Sequence, residues 1–195
     1  MGADAFHGSQ FFRLVPDMVD CQPWHLSAPS SPNGEELDSR IFTRGLPVTD
    51  LRVPLSIGVR NPGTPVQLSF GSFDYLVVEH RLAVLVKAIA PSDVELFPAT
   101  VDGNPSFEVM NVKTRIRCID DDRTVGEKWG AADGRPDKIG DFRTVTNLVI
   151  DASKVTECAM FRVASWEIAL VVSDEVRQLL VSEAGPGLQF LSVTE

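Results

Sequence analysis

Apolar runs of the roughly 18 residues needed to span a bilayer as a helix are missing from this 195-residue chain, so a helical membrane protein is not expected. Basic residues are scarce: 18 Lys+Arg stand against 27 Asp+Glu, a formal net charge of −9. That balance argues against a broad grip on nucleic acid, which needs a basic face. Cysteine is sparse too. Cys21, Cys118 and Cys158 are odd in number and widely spaced, so a disulfide framework is not expected, and reduced, buried thiols in a cytoplasmic protein are. The first residues, MGADAFHGSQ, have no basic stretch before an apolar core and so do not read as a secretory signal. Motifs of catalysis are lacking as well. The chain contains no G-x-S-x-G, no G-x-G-x-x-G, no Walker A loop and no H-x-x-x-H pair.

What is present reads as one folded α+β domain. Hydrophobic residues make up 44% and charged residues 23%, ordinary values for a globular chain. Residues 11–15 read as a short strand, residues 27–36 as a loop, and residues 51–59 as a half-buried strand with Val53, Leu55, Ile57 and Val59 at period two. Pro54 places that strand at a sheet edge. Residues 66–70 can form another strand. Residues 1–10 are expected to be a flexible tail, ahead of a single domain over 1–195.

Two stretches share one plan. Residues 75–78 are strand-like, and Leu82, Leu85, Val86 and Ile89 then mark an amphipathic helix stopped by Pro91. A strand follows at 94–97. Residues 169–172 are again strand-like, Ser173 suits a helix N-cap, and Val176, Leu179 and Leu180 form the stripe. Gly185, Pro186 and Gly187 end that helix, and residues 188–191 close the unit as a strand. The two units align without a gap at an offset of 94 residues. The expected fold is therefore α+β, with a mixed or antiparallel sheet carrying two strand–helix–strand units.

The middle of the chain is β-rich. Val112, Thr114, Ile116 and Cys118 alternate with Lys113, Arg115 and Arg117, predicting a strand with one apolar and one basic face. Residues 130–141 form a Gly/Asp-rich loop, and 148–150 and 158–163 read as strands. Residues 101–150 hold 9 acids and 8 bases, dense in charge yet almost neutral, whereas the excess acid lies towards the two ends. Asp120, Asp121 and Asp122 could hold a divalent cation, but no EF-hand spacing is present and nearby bases favour surface pairing. Cys21 and His25 make half a zinc site at best. Neither a metal, a cofactor nor a catalytic residue is assigned. Trp166 reads as core, and Trp129 as a cover over the end of the sheet or an interface anchor.

A set of short motifs runs in order through the chain: Trp24, His25, Leu26; Phe42 with Gly45; Pro54 to Ile57 in number 54–57; Phe73; 94–98; Arg115, Arg117, Cys118 and Asp120; Arg135 to Gly140 in number 135–140; 149–151; Phe161, Arg162; Trp166; and 170–173. Together these resemble the myxobacterial-type immunity proteins of polymorphic toxin systems, a family first catalogued as a domain of unknown function. The resemblance runs from about residue 11 to residue 193. It implies a non-catalytic protein that neutralises a cognate toxin, encoded next door, by stoichiometric binding. The expected toxin interface lies in the charged segment 120–141, with Asp120, Asp121, Asp122, Trp129, Arg135, Asp137 and Lys138 as its candidate residues. An acidic inhibitor of this kind would be steered towards a basic partner. The alternatives are a metal-dependent hydrolase built on Asp120, Asp121 and Asp122, and a structural module that self-associates.

Overall fold

A computed structural model of the chain describes residues 10–194, so nearly all of the expected N-terminal tail lies outside the described residues. Its strands are β1 (Phe11–Pro16), β2 (His25–Leu26), β3 (Leu55–Ile57), β4 (Val59–Asn61), β5 (Leu68–Phe70), β6 (Leu76–Glu79), β7 (Val94–Val101), β8 (Asn104–Val112), β9 (Arg115–Ile116), β10 (Val125–Lys128), β11 (Phe142–Asn147), β12 (Met160–Val163), β13 (Leu170–Ser173) and β14 (Leu188–Ser192). Two α-helices, α1 (His80–Ile89) and α2 (Asp174–Glu183), follow β6 and β13. Their starts follow from local chemistry. The Glu79 carboxylate accepts from the Leu82 amide, and the Ser173 hydroxyl accepts from the Val176 amide, each satisfying an amide that the first turn leaves free.

The architecture is α+β with mixed sheets, as expected, and each strand–helix–strand unit is built into its own sheet. The first sheet has the order β3-β7-β8-β6-β5, and the second has the order β14-β1-β13-β12-β9. Pairing is antiparallel except at one edge of each, where β3 runs parallel to β7 and β9 parallel to β12. Without those edge strands the two orders are the same, and so is the register. Met110 of β8 lies opposite both Leu76 and Leu96. Leu14 of β1 lies opposite both Leu170 and Phe190, the positions 94 residues further on. Leu68 faces Val78 as Met160 faces Val172. The repeat is thus a four-stranded sheet plus helix. The second copy takes its fourth strand, β1, from the opposite end of the chain.

Burial explains why the two copies hold together. Because β-strand side chains alternate, Leu76 and Val78 face inward with Leu170 and Val172, while Val77 and Val171 face outward. The inward set joins Leu82, Val86 and Ala90 of the first unit to Val176, Leu180 and Ala184 of the second in one shared core, each no more than 2% exposed. Each outer face has a core of its own. One groups Tyr75, Val77 and Val109 with Leu26, Phe42 and Leu55, and the other groups Phe11, Phe161 and Val171 with Cys118, Phe142 and Ile150. All three cysteines are buried and free. Among the described residues, no helix is long and apolar enough to cross a membrane.

Several local expectations need correction. The predicted strand over 112–118 is two strand ends: Val112 closes β8 in the first sheet, and Arg115 opens β9 in the second. Between them the chain crosses from one sheet to the other, fixed by Asp93, whose carbonyl accepts from the Lys113 amide (2.8 Å) and whose carboxylate accepts from the Thr114 hydroxyl (3.0 Å). The basic stripe is broken by that crossing. Residues 148–150 carry one isolated bridge, Ile119 to Ile150, instead of a strand. The strand expected over 51–59 is two short strands in different sheets, β3 at the edge of the first sheet and β4 paired with β2, while Pro54 and the 42% exposed Val53 lie outside both.

Candidate binding groove where the two repeats meet

The turn joining β5 to β6 and the turn joining β12 to β13 occupy equivalent places in the repeat. Phe73 and Asp74 lie 94 residues before Glu167 and Ile168. These four residues line one groove of about 590 Å³, and the loop after the 3-10 turn Ser39–Phe42 and the connection between β10 and β11 complete its walls. The turns are conformationally demanding. Phe73, Asp74 and Ser165 all have positive φ, at 60°, 59° and 74°, a region that costs a non-glycine residue energy and that recurs at functional sites.

Arg162 of β12 joins the two turns from below. Its side chain is fully buried, and its guanidinium donates to the carbonyls of Asp74 (3.0 Å), Ile168 (3.2 Å) and Glu167 (3.5 Å). Burial pushes its pKa down to about 10, partly opposed by the nearby Asp74 carboxylate, so it remains a cation at neutral pH. Arg13 of β1 lies behind the groove, 4.5 Å over the Trp166 ring, with its pKa likewise lowered by burial and raised by Asp74. The wall at 39–46 is held by Gly45. Its φ is +66°, and an added Cβ would fall 2.7 Å from the Cβ of Arg115 and 3.1 Å from that of Arg162. Only glycine lets this loop approach β9 and β12 so closely.

The groove surface combines apolar and charged groups. Phe73 is 61% exposed, Ile168 55% and Leu46 46%, a high exposure for three neighbouring large side chains. Two arginines stack on aromatic faces, Arg40 on Phe73 at 4.1 Å and Arg143 on Trp129 at 5.5 Å. Arg115 pairs with Glu167 at 3.4 Å.

Of the candidate interface residues, Trp129, Asp137 and Lys138 line this groove. Arg135 adjoins it and binds the Asp137 carboxylate through two nitrogens at 3.0 and 3.2 Å, which holds that carboxyl below its ordinary range. Asp120, Asp121 and Asp122 do not line it. Asp120 accepts from the amides of Asp122 and Arg123, and Asp121 pairs with Lys128 at 2.7 Å. Downstream, Asp133 pairs with Arg143. Among the described residues, no three of His, Cys, Asp and Glu are grouped as metal ligands, so the acids expected as a possible cation site are dispersed into ion pairs and turns.

Phe73, Arg162, Arg40 and Arg143 were not singled out as site residues by composition or spacing. Phe73, Gly45, Arg115, Arg162 and Trp166 do belong to the ordered motifs that suggested immunity proteins, and all five gather at this groove. A second signal was available in the 94-residue offset, which carries through the two turns.

No family model and no curated protein matches this chain.

Proposed function

We propose that the protein is an immunity protein, which binds a cognate toxin stoichiometrically and blocks its action without catalysing a reaction. The observation that carries this reading is the groove between the two repeats. It sets exposed Phe73, Ile168 and Leu46 among arginines and a half-buried Trp129, the mixture of aromatic, aliphatic and guanidinium groups that anchors protein interfaces. The ordered motifs add support, because Phe73, Gly45, Arg115, Arg162 and Trp166 among them converge there. A standard stable interface takes roughly 800 Å² from each partner, and the exposed strands β10 and β11 extend the surface beside the groove. The toxin is then the product of the adjacent gene, and the meeting place is the cytoplasm.

Co-expression tests the reading. The chain should restore growth to cells making the neighbouring gene product and should co-purify with it at one-to-one stoichiometry. Continued toxicity, with no complex on gel filtration, would overturn it.

A further inference from the structure

The charge around the groove runs opposite to that of the whole chain. Arg40, Arg44, Arg115, Lys138 and Arg143 line it, and Arg13 and Arg162 lie behind it. The acids on its surface are Asp74, Asp137, Asp141 and Glu167. With the ion-pair partners just outside, Arg135, Asp38 and Asp133, eight cations meet six acids in a chain of net −9. Four of the acids are already paired, Glu167 with Arg115, Asp137 with Arg135, Asp38 with Arg40 and Asp133 with Arg143.

The cations are also presented for use. A guanidinium stacked by its face on an aromatic ring keeps its in-plane N–H forks free for a carboxylate. Arg40 lies over the Phe73 ring at 4.1 Å, and Arg143 lies more loosely over the Trp129 ring at 5.5 Å. Their present carboxylate contacts are long, 3.8 Å to Asp38 and 3.4 Å to Asp133, and both side chains are about half exposed. Exposed pairs of this geometry are worth little and exchange readily. Phe73, still exposed beside Arg40, and exposed Ile168 give the same groove its apolar surface.

We propose that the groove receives an acidic segment of the partner protein, with an apolar residue at its centre that covers Phe73 and Ile168 while flanking carboxylates take the forks of Arg40 and Arg143. This rests on the reading of the chain as a toxin-binding protein and specifies what the bound toxin segment is made of.

The test uses two ten-residue peptides with the same central Phe-Leu, one flanked by Asp and Glu and the other by Lys. Binding is followed by tryptophan fluorescence, to which Trp129 and Trp166 in the groove report, and by calorimetry at low and high salt. The acidic peptide should bind roughly tenfold tighter or more than the basic one, as two or three exposed ion pairs allow. Its affinity should fall with salt, and R40E/R143E should invert the preference. Equal binding of both peptides, tighter binding of the basic one, or no binding of either at millimolar concentration would overturn the proposal. The neighbouring gene product separates the two claims. If it is captured equally well by the R40E/R143E protein, the groove assignment falls and the immunity reading stands. If the acidic peptide binds as expected but that product is neither captured nor neutralised, the groove stands and the immunity reading falls.

Discussion

Arg162 carries a full charge into the interior, where among the described residues no carboxylate lies within ion-pair distance; its guanidinium donates instead to three backbone carbonyls. That geometry needs a planar fork. A lysine at the same place is a single point with a shorter reach and cannot serve the Asp74 and Ile168 carbonyls together. Replacing Arg162 with Lys should therefore cost roughly 2–3 kcal/mol, the value of hydrogen bonds to a charged group, and should show as a lowered urea midpoint with an unchanged slope. An unaltered midpoint would mean that the turns are held by something else. The sequence could not reveal this role. In the stretch Met160, Phe161, Arg162, Val163 an arginine reads as the solvent-facing member of an alternating strand, yet all four residues are buried. The loop at Gly45, more than a hundred residues earlier, covers its Cβ and the turn at Asp74 takes its guanidinium, and only the folded chain brings both into contact with it.

The helices were the most legible elements, because each carries its start, stripe and stop within a dozen residues. Ser173 illustrates how much a single position supplies. Its hydroxyl accepts from the Val176 amide, and its replacement by Ala should lower stability by about 1 kcal/mol, measurable by urea unfolding. The next residue gives α2 a pH dependence. Hydrogen bonds first from Arg177 and then from Gln178 hold the Asp174 carboxyl below its ordinary 3.8. A carboxyl whose folded pKa is depressed contributes stability that is present above its unfolded value and is lost as pH falls through the folded value. Circular dichroism should thus show α2 loosening only below about pH 4, and D174N should remove that share of the acid transition. The strands were less legible for the opposite reason. The alternation over residues 112–118 is real, but a period-two pattern does not record which sheet a residue joins, and here Asp93 pins a crossing in the middle of it. β8, β10 and β11 went unassigned because their partners, not their own patterns, define them. Gly126 in β10 shows the consequence, since its close approach to the Thr144 carbonyl is imposed by pairing with β11.

The repeat governs the molecule as a whole. Its apolar spacing was visible at the 94-residue offset, and the shared core shows why that spacing is kept: the inward residues of both copies pack on each other, so neither copy has a complete core alone. The origin of the fourth strand was not visible. In the first copy β7 runs through a tight turn at Asp102 and Gly103 directly into β8. In the second copy β14 and β1 pair in the same register, Phe12 opposite Ser192, but lie at opposite ends of the chain. Joining Thr194 to Gln10 through an added flexible linker would supply the missing connection and would make the second copy continuous like the first. New ends can be opened at 133–134, in the exposed connection between β10 and β11, where no core side chain is cut away from its neighbours. Exposed loop tips of this kind tolerate such openings. This circular permutant should fold with a melting temperature within about 8 °C of the parent, the shift that roughly 2–3 kcal/mol produces in a domain of this size. Deleting residues 10–16 instead removes the strand between β13 and β14 and, with it, Phe11 and Leu14 from two cores. That deletion should leave no cooperative transition at all. A permutant that fails to fold, beside a deletion that still melts cooperatively, would show that the second copy does not depend on β1 in the way the matched registers require.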